Sequence, residues 1–227
     1  LLDNKKQKFE IDTNGLSLII NDSKVRVIAK AEEISEGTKK FYENFLRDGK
    51  FNGYICVGSP DPHGEYNAIA RDGHLATYLG LFLGRFIDNP MTSTIVLDTN
   101  VISRNLFKNN LILVGGPVTN LVTRDINNFL PIRFIKEEGW ALKNEDKFYS
   151  RDYEGLLAKI KNPYDKSKSI IVMSGIRNIG TLAAILAATK FSYSTFKSYN
   201  GDLPWYTIVR GYDVDGDGEV DSVETIG

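Results

Sequence analysis

Y-I-C-V-G-S-P at residues 54–60, L-I-L-V-G-G-P at 111–117 and I-I-V-M-S-G at 170–175 share one pattern. Each is an unbroken apolar run that ends in glycine. Helical patterns follow at 75–87, 119–129 and 182–189. An apolar run without alternation implies a strand buried on both faces, and strands alternating with helices imply crossover connections. The reading is an α/β fold: a doubly wound, mostly parallel, Rossmann-like sheet with a small antiparallel insertion. The insertion falls near 132–160, where short apolar runs alternate around Glu138-Gly139. The run at 156–160 continues it.

Outward from these units the chain is less regular. Residues 29–47 fit an amphipathic helix, with Ile34, Thr38, Phe41 and Phe45 on one face. Residues 1–20 form either a leading hairpin or the tail of a preceding winged-helix-like domain, in which Thr13 and Gly15 mark the turn before a closing helix. Residues 21–227 then make a single domain. Leu1 in place of Met implies a piece of a longer protein.

Composition narrows the function classes. The 227 residues carry a net charge of −1, so no overall basic field draws this stretch to nucleic acid. A single cysteine, Cys56, excludes an internal disulfide framework. No apolar run is long enough for a membrane-spanning helix.

The two histidines, His63 and His74, both lie in the loop after the first glycine-ended strand. With Asp61, Arg71 and Asp72 they offer three readings: a structural loop with Asp72 capping the next helix or paired to Arg71, a metal site on Asp61, His63 and His74, or an acid–base centre. The structural reading ranks first. Gly115-Gly116, Arg71 and Arg177 would form one anion-binding cleft if all three loops open on the same sheet edge. Neither glycine loop carries a dinucleotide or Walker signature. Near the end, D-V-D-G-D-G-E-V-D-S-V-E at 213–224 fits a calcium loop, with Asp213, Asp215, Asp217, Asp221 and Glu224 as carboxylates and Glu219 giving its backbone oxygen. A strand in place of the entering helix, and the missing exit helix, leave an Asp/Gly turn between strands as the alternative.

V-G-S-P-D-P-H-G, A-R-D-G-H, V-G-G-P-V-T-N, S-G-I-R-N-I-G-T and the D-V-D-G-D-G tail together resemble the archaeal S-layer-type C-terminal domain family, over residues 52–224. That family is found in surface layers and behind winged helix-turn-helix domains of archaeal regulators. The resemblance implies no established catalytic activity. It implies a non-catalytic interaction or sensing domain, part of a transcriptional regulator, that meets itself, another protein or a small or anionic ligand. The alternatives are a cell-surface domain assembled through calcium and a metal- or phosphate-dependent hydrolase using His63 and His74. A lone glycosylation acceptor, Asn21-Asp22-Ser23, favours a cytoplasmic setting over the surface.

Overall fold

The computed structural model describes residues 8–13, 16–21, 24–29, 34–88, 94–145 and 147–226. The chain divides into two compact units, Leu1–Ile34 and Ser35–Gly227. The first is an antiparallel three-stranded sheet of β1 (Lys8–Thr13), β2 (Leu16–Asn21) and β3 (Lys24–Ala29), in that order. β2 occupies the positions where the winged-helix reading places a closing helix. Gly15 lies outside the described residues.

The second unit opens with α1 (Glu36–Tyr42), capped by Ser35, whose hydroxyl accepts from the Thr38 amide. The expected helix at 29–47 is therefore shorter, and Ala29 belongs to β3. A two-residue pair, β4 (Leu46–Arg47) and β5 (Lys50–Phe51), leads into β6 (Tyr54–Val57). Next come α2 (Ala76–Gly84), β7 (Ile95–Leu97), α3 (Asp98–Ser103), β8 (Leu111–Val114) and α4 (Leu121–Ile126). A small antiparallel sheet is made by β9 (Arg133–Lys136), β10 (Trp140–Asn144) and β11 (Lys147–Tyr149). The chain closes with β12 (Glu154–Asn162), β13 (Asp165–Gly175), α5 (Asn178–Ala188), α6 (Ser192–Thr195), β14 (Trp205–Tyr212) and β15 (Ser222–Ile226).

Among the described residues the main sheet has seven strands in the order β15-β14-β12-β13-β8-β6-β7. β13, β8, β6 and β7 run parallel to one another. β12 is antiparallel to both β13 and β14, and β14 to β15. The sheet is mixed, so the doubly wound, mostly parallel, Rossmann-like α/β expectation is wrong. The error lies at β12. Residues 156–160 belong to the middle of the main sheet, and Asn162-Pro163-Tyr164-Asp165 is the turn of a long β12–β13 hairpin. β12 is buried along nearly its whole length. An antiparallel strand covered on both faces shows the same continuous apolar run as a parallel one.

Leu156, Ala158, Ile170, Val172, Leu111 and Leu113 point to one face, where they meet α3, α4 and the β9–β11 sheet through Val101, Ile126 and Phe134. α5 covers the other face. Its Ala183, Ala184, Ala187 and Ala188 are buried, and it sits so close to β12 that a Cβ on Gly155 would fall 2.0 Å from the Gly180 carbonyl oxygen. The same face carries an aromatic cluster in which Phe41 stacks on Phe196 at 4.0 Å beside Tyr199 and Trp205. α2 is buried through Ala76, Leu79, Phe82 and Leu83, while Leu81 is 72% exposed and Tyr78 45%.

Candidate ligand-binding cleft

The four parallel strands end on the same edge, and three of their loops meet there. After β8 the chain turns through Gly115 at φ +100°. A Cβ at that position would fall 2.7 Å from Asp72 Oδ2 and 3.2 Å from Thr119 Oγ1. The backbone conformation favours glycine here, and Asp72 packs into the space a side chain would take. After β13 the Gly175 amide donates to Thr181 Oγ1 at 2.9 Å, and Arg177 stands at the N-cap of α5. The loop after β6 delivers Arg71 and Asp72 just before a single 3₁₀ turn, Gly73–Leu75.

Between these loops lies a cavity of about 370 Å³. Arg71, Asp72, Gly116, Arg177 and Asn178 give it polar groups, and Val118, Phe134, Trp140 and Ile176 an apolar wall. This volume is at the small end of ordinary ligand sites. Phe134 and Trp140 come from the β9–β10 hairpin, which the sequence marks only as an insertion. An isolated tryptophan after Glu138-Gly139 carries no periodic signal that would place it there.

Asp72 is the unusual group. It is 7% exposed, and its Oδ1 has no hydrogen-bond partner among the described residues. It makes no side-chain cap to the 3₁₀ turn and no ion pair with Arg71, so neither structural role expected for it is present. Burial pushes its carboxyl above the ordinary aspartate range; its own backbone amide and the nearby His74 pull back against this.

The histidines are placed elsewhere. His63 Nδ1 faces the Asp61 carbonyl oxygen at 2.8 Å, and Nε2 faces Asp98 Oδ2 at 2.9 Å. Both ring nitrogens meet acceptors, an arrangement that only the imidazolium satisfies as donor. Burial pulls His63 down, but the bonds to Asp61 and Asp98 outweigh it, and the net shift is upward. His74 is exposed, with Nδ1 on the Arg71 carbonyl oxygen at 2.9 Å. Asp61 supplies its backbone oxygen to His63, not a carboxylate to a metal set with His63 and His74.

Asp98, which the sequence reading did not single out, is the anchor of this loop. It is fully buried and accepts from the amides of Ser59 at 2.9 Å, Thr99 at 2.8 Å and Leu121 at 2.8 Å, besides His63. Asn120 does parallel work: its Oδ1 caps α4 at Val122 and Thr123, and its Nδ2 donates to the carbonyls of Cys56 and Val114. The β6, β7 and β8 loops are therefore tied to one another by buried hydrogen bonds, and the cleft is built on a rigid base.

The acidic loop lies between β14 and β15. Asp213, Asp215, Asp217 and Asp221 each offer a carboxylate oxygen within 4.8 Å of the others. Asp213 already accepts from the Gly216 and Gly218 amides, and Asp221 from Val214. Glu224 lies in β15 and accepts from the Tyr212 hydroxyl at 2.7 Å. It is not part of the fourfold group.

Residues 83–191 match the family model described as S-layer like family, outer domain. This stretch is S-layer-like. The S-layer-like match covers just under half of the chain and lies wholly within the second unit. It is narrower than the span of the resemblance read from the sequence. It includes Gly116, Trp140 and Arg177 but stops short of Arg71, Asp72 and the acidic loop. No curated protein matches the chain. Among the described residues no helix is long and apolar enough to cross a membrane.

Proposed function

We propose that the second unit is a non-catalytic contact domain of S-layer type whose cleft receives a ligand. The observation that carries this reading is Asp72, a buried carboxyl that lines a partly apolar cleft with its Oδ1 lacking a hydrogen-bond partner among the described residues. Such a group costs stability and is retained where a ligand supplies its missing partner. Neither histidine lines the cleft, and both nitrogens of His63 are committed to Asp61 and Asp98. The S-layer-like match supports a surface setting rather than the cytoplasmic one.

The acidic loop supports a second reading, calcium binding in a structural role, through the convergence of its four aspartates within 4.8 Å.

Thermal unfolding against a panel of small carboxylates, phosphates and blocked amino acids tests the first reading, and a calcium arm tests the second. A ligand that binds only the folded state raises the midpoint by mass action. A rise from a panel compound that Asp72→Ala abolishes is expected, with no turnover of chromogenic esters or phosphates. Turnover lost on His63→Ala or His74→Ala would overturn the non-catalytic reading. In the calcium arm a rise abolished by Asp213→Ala is expected; an unchanged midpoint at millimolar calcium would discard the loop as a calcium site.

A further inference from the structure

We infer that the cleft recognises a carboxylate flanked by an N–H donor and an apolar side chain, the chemistry of a peptide C-terminus or a free amino acid. This rests on the cleft reading above and gives its ligand a chemical class.

Three features of the cleft have to be satisfied together. The first is a set of positive and donating groups. Arg71 and Arg177 line the cavity, and Arg177 stands at the N-cap of α5, eleven residues long, without capping it through its side chain; the Ile179 amide is taken by Asn178 Oδ1. The amides of Gly116 and Asn178 have no hydrogen-bond partner among the described residues. Arg177 is held only loosely, 3.5 Å from Asp152 with both side chains about 70% exposed, so it is free to turn to a ligand. Guanidinium groups together with open amides, one of them at a helix start, suit a carboxylate.

The second feature excludes a simple anion. Asp72 lines the same cavity, nearly buried, with Oδ1 unpaired. An anion without a donor, such as acetate or sulfate, would leave this oxygen unpaired and bring a second negative charge beside it. A ligand that carries an N–H next to its anionic group meets both demands, with the anion toward the arginines and the donor toward Asp72.

The third feature is the wall. Phe134 and Trp140 form an apolar side, with Val118 and Ile176 completing it. A polar zwitterion would leave this surface unused, whereas one apolar side chain covers it. A cavity of about 370 Å³ has room for one such residue and its terminal carboxylate.

Four probes separate the possibilities by isothermal titration: N-acetyl-leucine, N-acetyl-leucinamide, free leucine and the blocked tripeptide acetyl-Gly-Gly-Leu. N-acetyl-leucine and the tripeptide acid are expected to bind. Loss of the carboxylate in the amide should weaken binding about tenfold or more, since a charge-assisted pair is lost. Arg177→Gln, at an exposed position that leaves folding intact, should weaken the acids and not the amide. Tighter binding of free leucine than of the blocked acids identifies the free amino acid as the source, and the reverse identifies a chain terminus. Equal binding of acid and amide overturns the inference while leaving the cleft as a ligand site. Binding by none of the four overturns the inference too; the broader panel above then decides the cleft reading by itself.

Discussion

Asp98→Ala is expected to lower the stability of the second unit by about 3–5 kcal/mol, the range for removing one member of a buried charged network. The carboxylate is fully buried, and its two oxygens serve the amides of Ser59, Thr99 and Leu121 and the His63 ring. Removing it leaves three backbone donors and the His63 Nε2 without acceptors, in loops from β6, β7 and β8 at once. Asp98→Asn keeps one carbonyl acceptor and should cost about half as much. Denaturant unfolding with a common slope measures both. A loss under about 1 kcal/mol would mean that Asp98 does not hold these loops. The same network fixes a pH dependence. The His63 pKa is raised in the folded chain, so its contribution is full below the unfolded value of about 6.5 and is lost as pH rises through the folded value. The stability gap between wild type and His63→Gln should therefore narrow with rising pH.

Lys159→Met is expected to act in the opposite direction, raising stability at neutral pH by roughly 1–3 kcal/mol. Lys159 is 1% exposed in the middle of β12, on the face covered by the aromatic cluster. Its ammonium donates to the Lys40 carbonyl oxygen at 3.2 Å and lies 5.7 Å and 5.8 Å from the Phe41 and Tyr199 ring centres. One carbonyl and two ring faces do not replace the water it gives up. Burial pulls its pKa down to about 8, with Glu43 opposing. Between about 8 and the unfolded value near 10.5 the unfolded chain holds the proton more tightly, so wild-type stability rises with pH over that window. The advantage of the methionine variant should shrink across the same window, followed by denaturant unfolding at each pH. A methionine variant less stable than wild type at neutral pH would show that the cation–ring contacts outweigh desolvation.

The sequence carried the parallel half of this fold. The runs at 54–57, 111–114 and 170–173 are strands, each followed by a glycine loop and a helix, because apolar runs of that length with glycine punctuation leave few alternatives. Parallel neighbours end on one edge, and for that reason Arg71, Asp72, Gly116 and Arg177 line one cavity. What the sequence did not carry was long-range pairing. Residues 156–160 are apolar whether they extend a hairpin insertion or sit between β13 and β14, and only the sheet order decides. The apolar wall was hidden for the same reason: Phe134 and Trp140 reach the cleft through a hairpin whose docking no local pattern encodes. His63 was conspicuous by its rarity, yet its role is set by Asp98, 35 residues away and unremarkable in sequence.

Whether Asp72 is retained for a ligand and not for the fold is tested most directly by the stability of Asp72→Asn at neutral pH. The Asp72 carboxyl pKa is raised in the folded chain, so ionising it costs folded-state stability above the ordinary aspartate range. The substitution removes the buried charge while keeping the shape of the side chain. It should leave stability equal or raise it by about 1 kcal/mol. A fall of about 1 kcal/mol or more would show that the carboxylate holds the fold together, and would contradict the assignment of this cleft as the functional site.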